Sequence, residues 1–96
     1  MNIEGLEFKE NKNGAIERFL LEIKITSTQR SHLIDFMDYV SDKLRNGEEV
    51  SKEFFEDEIL SIVPEKSGDD NFCKLLAEYW QDEYQTSKVS EYFYGV

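Results

Sequence analysis

Leu33, Phe36, Met37, Val40 and Leu44 recur at helical spacing, and no other run in the chain constrains its fold as much. Apolar residues at i, i+3, i+4 and i+7 line one side of an α-helix, so this stretch must cover a core. Ser27 and Thr28 are both competent N-caps at its start, and Asn46-Gly47 is a natural stop. Asp35, Asp38 and Asp42 repeat at i, i+3 and i+7 on the opposite side of the same helix.

Two more helices follow from the same reasoning. The second opens at Ser51, with Val50 before it and Phe55 inside it spaced for a hydrophobic staple. Phe55, Ile59, Ile62 and Val63 give its stripe, and Pro64, the only proline, ends it. Glu53, Glu56, Asp57 and Glu58 crowd its first turns, where negative charge compensates the helix dipole. After Lys66-Ser67-Gly68, Asp69 or Asp70 is expected to cap a third helix carrying Phe72, Cys73, Leu75, Leu76, Tyr79 and Trp80. Its exposed side should hold Asp70, Lys74 and Glu78 as an i, i+4 ladder of alternating sign. Lys88–Val96 fits a short helix with Val89, Tyr92 and Phe93 inward, or a strand with Val89 and Phe93 on one face.

The first 25 residues suggest a β-hairpin. Asn13-Gly14 is a strong type I′ turn signal. With that tip, Phe8 faces Phe19 and Leu6 faces Leu21 on one side of the ribbon, and the alternation continues through Ile23 and Ile25. Ile16, Phe19, Leu20 and Ile23 also suit a helix. Turn and register agree, so the hairpin is expected. The fold predicted is α+β: an N-terminal β-hairpin packed on three α-helices with a short C-terminal helix or strand, in a single domain over residues 1–96.

A chain of 96 residues supports one hydrophobic core. Its aromatic content, 14%, is too high for a disordered acidic tail. One cysteine, Cys73, excludes an internal disulfide and favours a reducing compartment. The opening Met1-Asn2-Ile3-Glu4 lacks the basic and apolar regions of a signal peptide, and no apolar run approaches a membrane span. A cytoplasmic location is expected.

Catalysis has little support. His32, the single histidine, sits at the start of a helix, where a surface or capping role suffices. Cys73 lies on an apolar face with no second histidine to activate it. No acid is singled out for a raised pKa among 21 carboxylates. Asp69-Asp70-Asn71 lacks calcium-loop spacing, one Cys and one His disfavour zinc, and the single scattered glycines make no phosphate loop. No catalytic residue, metal site or cofactor is expected.

Charge offers more. The net charge is −10, and it is lopsided: residues 1–45 hold 8 acids and 7 bases, net −1, whereas residues 46–96 hold 13 acids and 4 bases, net −9. Such a field repels nucleic acid and anionic membrane and favours a basic partner. Asp35, Asp38 and Asp42 form one row of carboxylates; Glu49, Glu53, Glu56 and Asp57 form a second. Regular negative charge on rigid elements resembles a nucleic-acid backbone. Bacteriocin immunity proteins and phage-encoded inhibitors of host defence use this physical device, although no motif here is specific to a family. Six rings fall between Tyr79 and Tyr94, and Tyr84, Tyr92 and Tyr94 are expected to serve as interface anchors.

The function expected is that of a non-catalytic inhibitor or immunity-type protein. It would occupy the basic site of a nuclease or other nucleic-acid-binding protein, without contacting nucleic acid or membrane itself. The alternative is a small regulatory or assembly module that self-associates as a homodimer through its hairpin edge.

Overall fold

The computed structural model describes residues 14–69, 71–84 and 87–95. Five α-helices run through them: α1 (Gly14–Glu22), α2 (Ser27–Arg45), α3 (Lys52–Ile62), α4 (Phe72–Glu83) and α5 (Val89–Tyr94). A 3-10 turn, Pro64–Lys66, follows α3. No strand occurs among the described residues. The architecture is a small helical bundle, in which α1 packs chiefly on α4, α4 on α5, and α2 on α3.

The expected α+β fold is therefore corrected at its N-terminus. Gly14–Glu22, which takes in Gly14 of the proposed turn and the start of the proposed second strand, is helical. The proposed first strand, with Leu6 and Phe8, and Asn13 of the turn lie outside the described residues. As a strand, residues 15–25 would carry Phe19, Leu21 and Ile23 on one face but Ile16 and Leu20 on the other. A two-stranded ribbon packed on helices can bury only one face. As a helix, the same chain turns Ile16, Phe19 and Leu20 into the core and leaves Leu21 58% exposed. One apolar stripe against α4 buries more than one side of a ribbon would. Lys24, at φ +58°, turns the chain out of α1.

The start of α2 lies one residue before the expected caps. Thr26 is the N-cap: its Oγ1 accepts the Gln29 N–H at 3.0 Å, and Gln29 Oε1 accepts the Thr26 N–H at 2.9 Å. This capping box satisfies two orphan donors. Gln29 also reaches across the bundle, donating through Nε2 to the Ile62 carbonyl at 3.1 Å, and so ties the start of α2 to the end of α3. The stop at Asn46-Gly47 is a Schellman motif, with Gly47 N–H on Leu44 O at 3.1 Å and Glu48 N–H on Lys43 O at 2.9 Å. Gly47 sits at φ +81°, a region costly for residues with a Cβ.

Ser51 caps α3 as expected, its Oγ accepting the Phe54 N–H at 3.0 Å. Val50 and Phe55 are both in the core, where the staple requires them. Asp69, one of the two expected caps, does not cap α4. Its N-cap position is Asn71, and Asp69 instead closes the preceding turn, its Oδ1 accepting the Asn71 N–H at 3.0 Å. Asp70, and with it the expected Asp70–Lys74–Glu78 ladder, lies outside the described residues. Phe72, Cys73, Leu76 and Trp80 are buried, but Leu75 and Tyr79 are exposed and Ala77 takes an inner position. The arc of α4 is narrower than its sequence suggested.

The C-terminal segment is a helix. Val89 and Phe93, four apart, both point inward. Phe93 stacks on Phe55 with ring centroids 4.2 Å apart. Six residues are too few for a helix to stand alone. Packing and two caps hold α5: Gln81 Oε1 accepts the Glu91 N–H at 3.0 Å, and Gly95 closes the helix at φ +75°.

Candidate functional site

The acids of α2 lie where their spacing put them. Asp35, Asp38 and Asp42 are all exposed, facing away from the Leu33–Met37–Val40 stripe. They are not equivalent. Asp42 is ion-paired with Arg45, one turn on. Asp38 stands close enough to Tyr84 to perturb it electrostatically. Asp35 has no ion pair among the described residues.

The second row is less regular than expected. Glu49 lies in the loop before α3, while Glu53 and Asp57 are exposed on the helix, one turn apart. Glu56 is half-buried and turned toward α5, where its Oε2 accepts a hydrogen bond from the Tyr94 hydroxyl at 2.6 Å. Burial and this bond push the Tyr94 hydroxyl pKa well above its ordinary value. Lys52 Nζ sits 4.7 Å from the centre of the same ring. Glu56 and Tyr94 therefore join two helices.

The tyrosines divide in the same way. The Tyr92 ring is exposed, but its hydroxyl accepts the Val50 N–H at 3.2 Å, ahead of α3. Tyr84 is exposed and packs on Trp80, centroids 4.6 Å apart. Burial raises its hydroxyl pKa first, and Glu83, Asp38 and Glu17 add to the shift. Two contacts explain this convergence of charge. Trp80 Nε1 donates to Ser41 Oγ at 2.9 Å in the core, which joins α4 to α2 one turn from both Tyr84 and Asp38. Glu83 Oε1 accepts the Ile16 N–H at 2.9 Å, capping α1 and bringing Glu17 alongside.

No family model, curated protein or solved structure matches this chain. Its chemistry must be read from its own side chains.

His32 is exposed on α2, and Cys73 is buried beneath α4. Burial pushes the Cys73 thiol up to about 12, with Glu56 and Asp69 opposing the thiolate further. Such a thiol is unreactive at neutral pH. Among the described residues, no group of three or more His, Cys, Asp or Glu side chains is placed to hold a metal ion. Two open grooves of about 310 and 300 Å³ flank Tyr79. Asp82 lines both, with Glu78 in one and Glu22 beside Arg18 in the other. No helix of the described residues is long and apolar enough to cross a membrane.

Sequence spacing missed two exposed rings, Tyr39 on α2 and Phe54 on α3. The signal was present. Both are large rings lying off their helix's buried stripe, and Phe54 adjoins Phe55, which takes the core position.

Proposed function

We propose that this chain is a non-catalytic acidic binding protein, an inhibitor or immunity-type protein that occupies the basic nucleic-acid-binding site of a partner protein. The observation that carries this reading is the state of the acids on α2 and around α3. Asp35, Asp38, Glu49, Glu53 and Asp57 are exposed and make no ion pair among the described residues. Unpaired carboxylates held on two capped helices and on the loop between them repel one another. A basic surface relieves that repulsion, and the long-range field steers it into contact. The reading includes a cytoplasmic location, suited to a single free thiol.

Self-association through a hairpin edge loses its support, because Gly14 of the proposed turn and the proposed second strand as far as Glu22 are helical.

The test is affinity capture with the parent chain and with Asp35→Lys/Asp38→Lys/Asp42→Lys as baits. A protein held by the parent, lost from the triple variant and released by salt is then purified. The parent chain should displace nucleic acid from it competitively. Equal capture by both baits, or a partner whose nucleic-acid binding is untouched, refutes the reading.

A further inference from the structure

Phe36, Tyr39 and Phe54 form an aromatic cluster across the seam between α2 and α3. The Phe36 centroid lies 6.3 Å from Tyr39 and 5.9 Å from Phe54, edge-on to the latter. Phe36 is anchored from below by Phe55, at 6.0 Å. The outer rings remain in water: Tyr39 is 48% exposed and Phe54 42%. Rings held rigidly at a surface are the usual anchors of protein interfaces, because little side-chain freedom is left to lose on binding.

The surroundings of the cluster define what fits it. Asp35 and Asp42 stand four residues before and three after Tyr39. Asp57 and Glu58 stand three and four after Phe54. Residues at these spacings are neighbours on a helix surface. All four acids are exposed, so carboxylates from both helices rim the rings. Two bases stand at this rim: Arg45 is paired with Asp42, and Lys43 lies 5.2 Å from the Tyr39 ring centre and is held by Glu48 at 2.9 Å, which leaves Asp35, Asp57 and Glu58 without an ion pair among the described residues.

We propose that this cluster is the apolar anchor of the acidic face, and that it receives an apolar side chain which a basic partner presents among its lysines and arginines. The proposal rests on the function proposed above and makes it specific. Charge complementarity selects the occupant: a second copy, also at −10, would bring like-charged rims together. It also moves the anchors away from Tyr92 and Tyr94, whose hydroxyls are engaged within the fold.

The test uses two short fluorescein-labelled peptides of Lys and Gly, identical except that one carries a central Phe where its twin has Gly. Binding is followed by fluorescence anisotropy at low salt. The parent should bind the Phe peptide roughly five- to ten-fold more tightly than the twin, the scale of one partly buried ring. Phe54→Ala and Tyr39→Ala should each shrink that ratio while leaving affinity for the twin unchanged. Phe54→Gln serves as a second variant if either alanine variant melts early. Leu21→Ala, which removes an exposed apolar side chain from α1, should leave the ratio intact. Equal affinity of the parent for both peptides overturns the anchor, as does a ratio that survives in the ring variants. The broader reading fails differently: the triple Asp→Lys variant would then bind both peptides as the parent does. Sedimentation of the parent as a dimer that Phe54→Ala dissolves would make the occupant a second copy and overturn the proposal.

Discussion

Tyr94→Phe separates a structural role from a binding role more cleanly than any other single change. The substitution deletes one hydroxyl and keeps the ring, so the contacts of Tyr94 with Phe55 and Phe93 survive. What is lost is the 2.6 Å bond to Glu56 Oε2, which links α5 to α3. A hydrogen bond to a charged acceptor is worth ~1.5–3 kcal/mol. Both partners are half-buried, so water can replace part of the interaction, and a loss of about 1–1.5 kcal/mol follows. In a domain of this size, that lowers Tm by roughly 4–12 °C. The assay is thermal unfolding of the parent, Tyr94→Phe, Glu56→Gln and the double variant. The double-mutant cycle should give a coupling of about 1 kcal/mol, since each single change breaks the same bond. Affinity for the Lys/Gly peptides should stay within about two-fold, because the hydroxyl faces Glu56. An unchanged Tm together with weakened peptide binding would refute this reasoning and return Tyr94 to the binding face.

Three further outcomes are expected. Ser41→Ala should cost ~1–3 kcal/mol in urea unfolding, because it strands the buried Trp80 indole N–H; an unchanged midpoint would mean that the indole finds another acceptor. Gly47→Ala should cost about 1 kcal/mol although an added Cβ would meet nothing within 4 Å, since the penalty lies in φ +81° alone; Gly68→Ala, equally open and without a positive φ, should be neutral or slightly stabilising. The Cys73 thiol is raised from 9.0 to about 12 in the folded chain, so the stability it contributes is complete below pH 9 and is lost as pH rises toward 12, where the unfolded chain ionises first. Cys73→Ala should flatten the fall of unfolding free energy across that window, and native Cys73 should react with a thiol reagent far more slowly than in denaturant; rapid native labelling would contradict its burial.

The C-terminal end of α2 and the start of α3 were legible because each carries its own punctuation. Gly47 stops α2 by a backbone requirement that local sequence states directly, and Ser51 caps α3 with no help from elsewhere. The N-terminus misled for a physical reason. Asn13-Gly14 favours a turn locally, but the decisive quantity was whether Ile16 and Leu20 could be buried together with Phe19, and that depends on α4, more than fifty residues away. The candidate site was legible to the same degree. Exposure of Asp35, Asp38 and Asp42 follows from helical periodicity, whereas the turning of Glu56 toward Tyr94 depends on how α5 docks. Ring density pointed to the C-terminal tyrosines, yet composition does not reveal that Tyr92 and Tyr94 spend their hydroxyls inside the fold while Tyr39 and Phe54 stand outside it.

The position of Trp80 has an optical consequence. It is the only tryptophan, so the indole emission of the protein has a single source. That source is shielded from water, held by Ser41 in the core, and in ring contact with Tyr84, which reaches the surface beside Asp38. Tyr84 thus connects the buried indole to the acidic face. A cation seated near Asp38 should alter the field around that tyrosine, whose ring centre lies 4.6 Å from that of the indole. Occupancy of this end of the face can be read as a shift in intrinsic fluorescence, with no label attached to the protein.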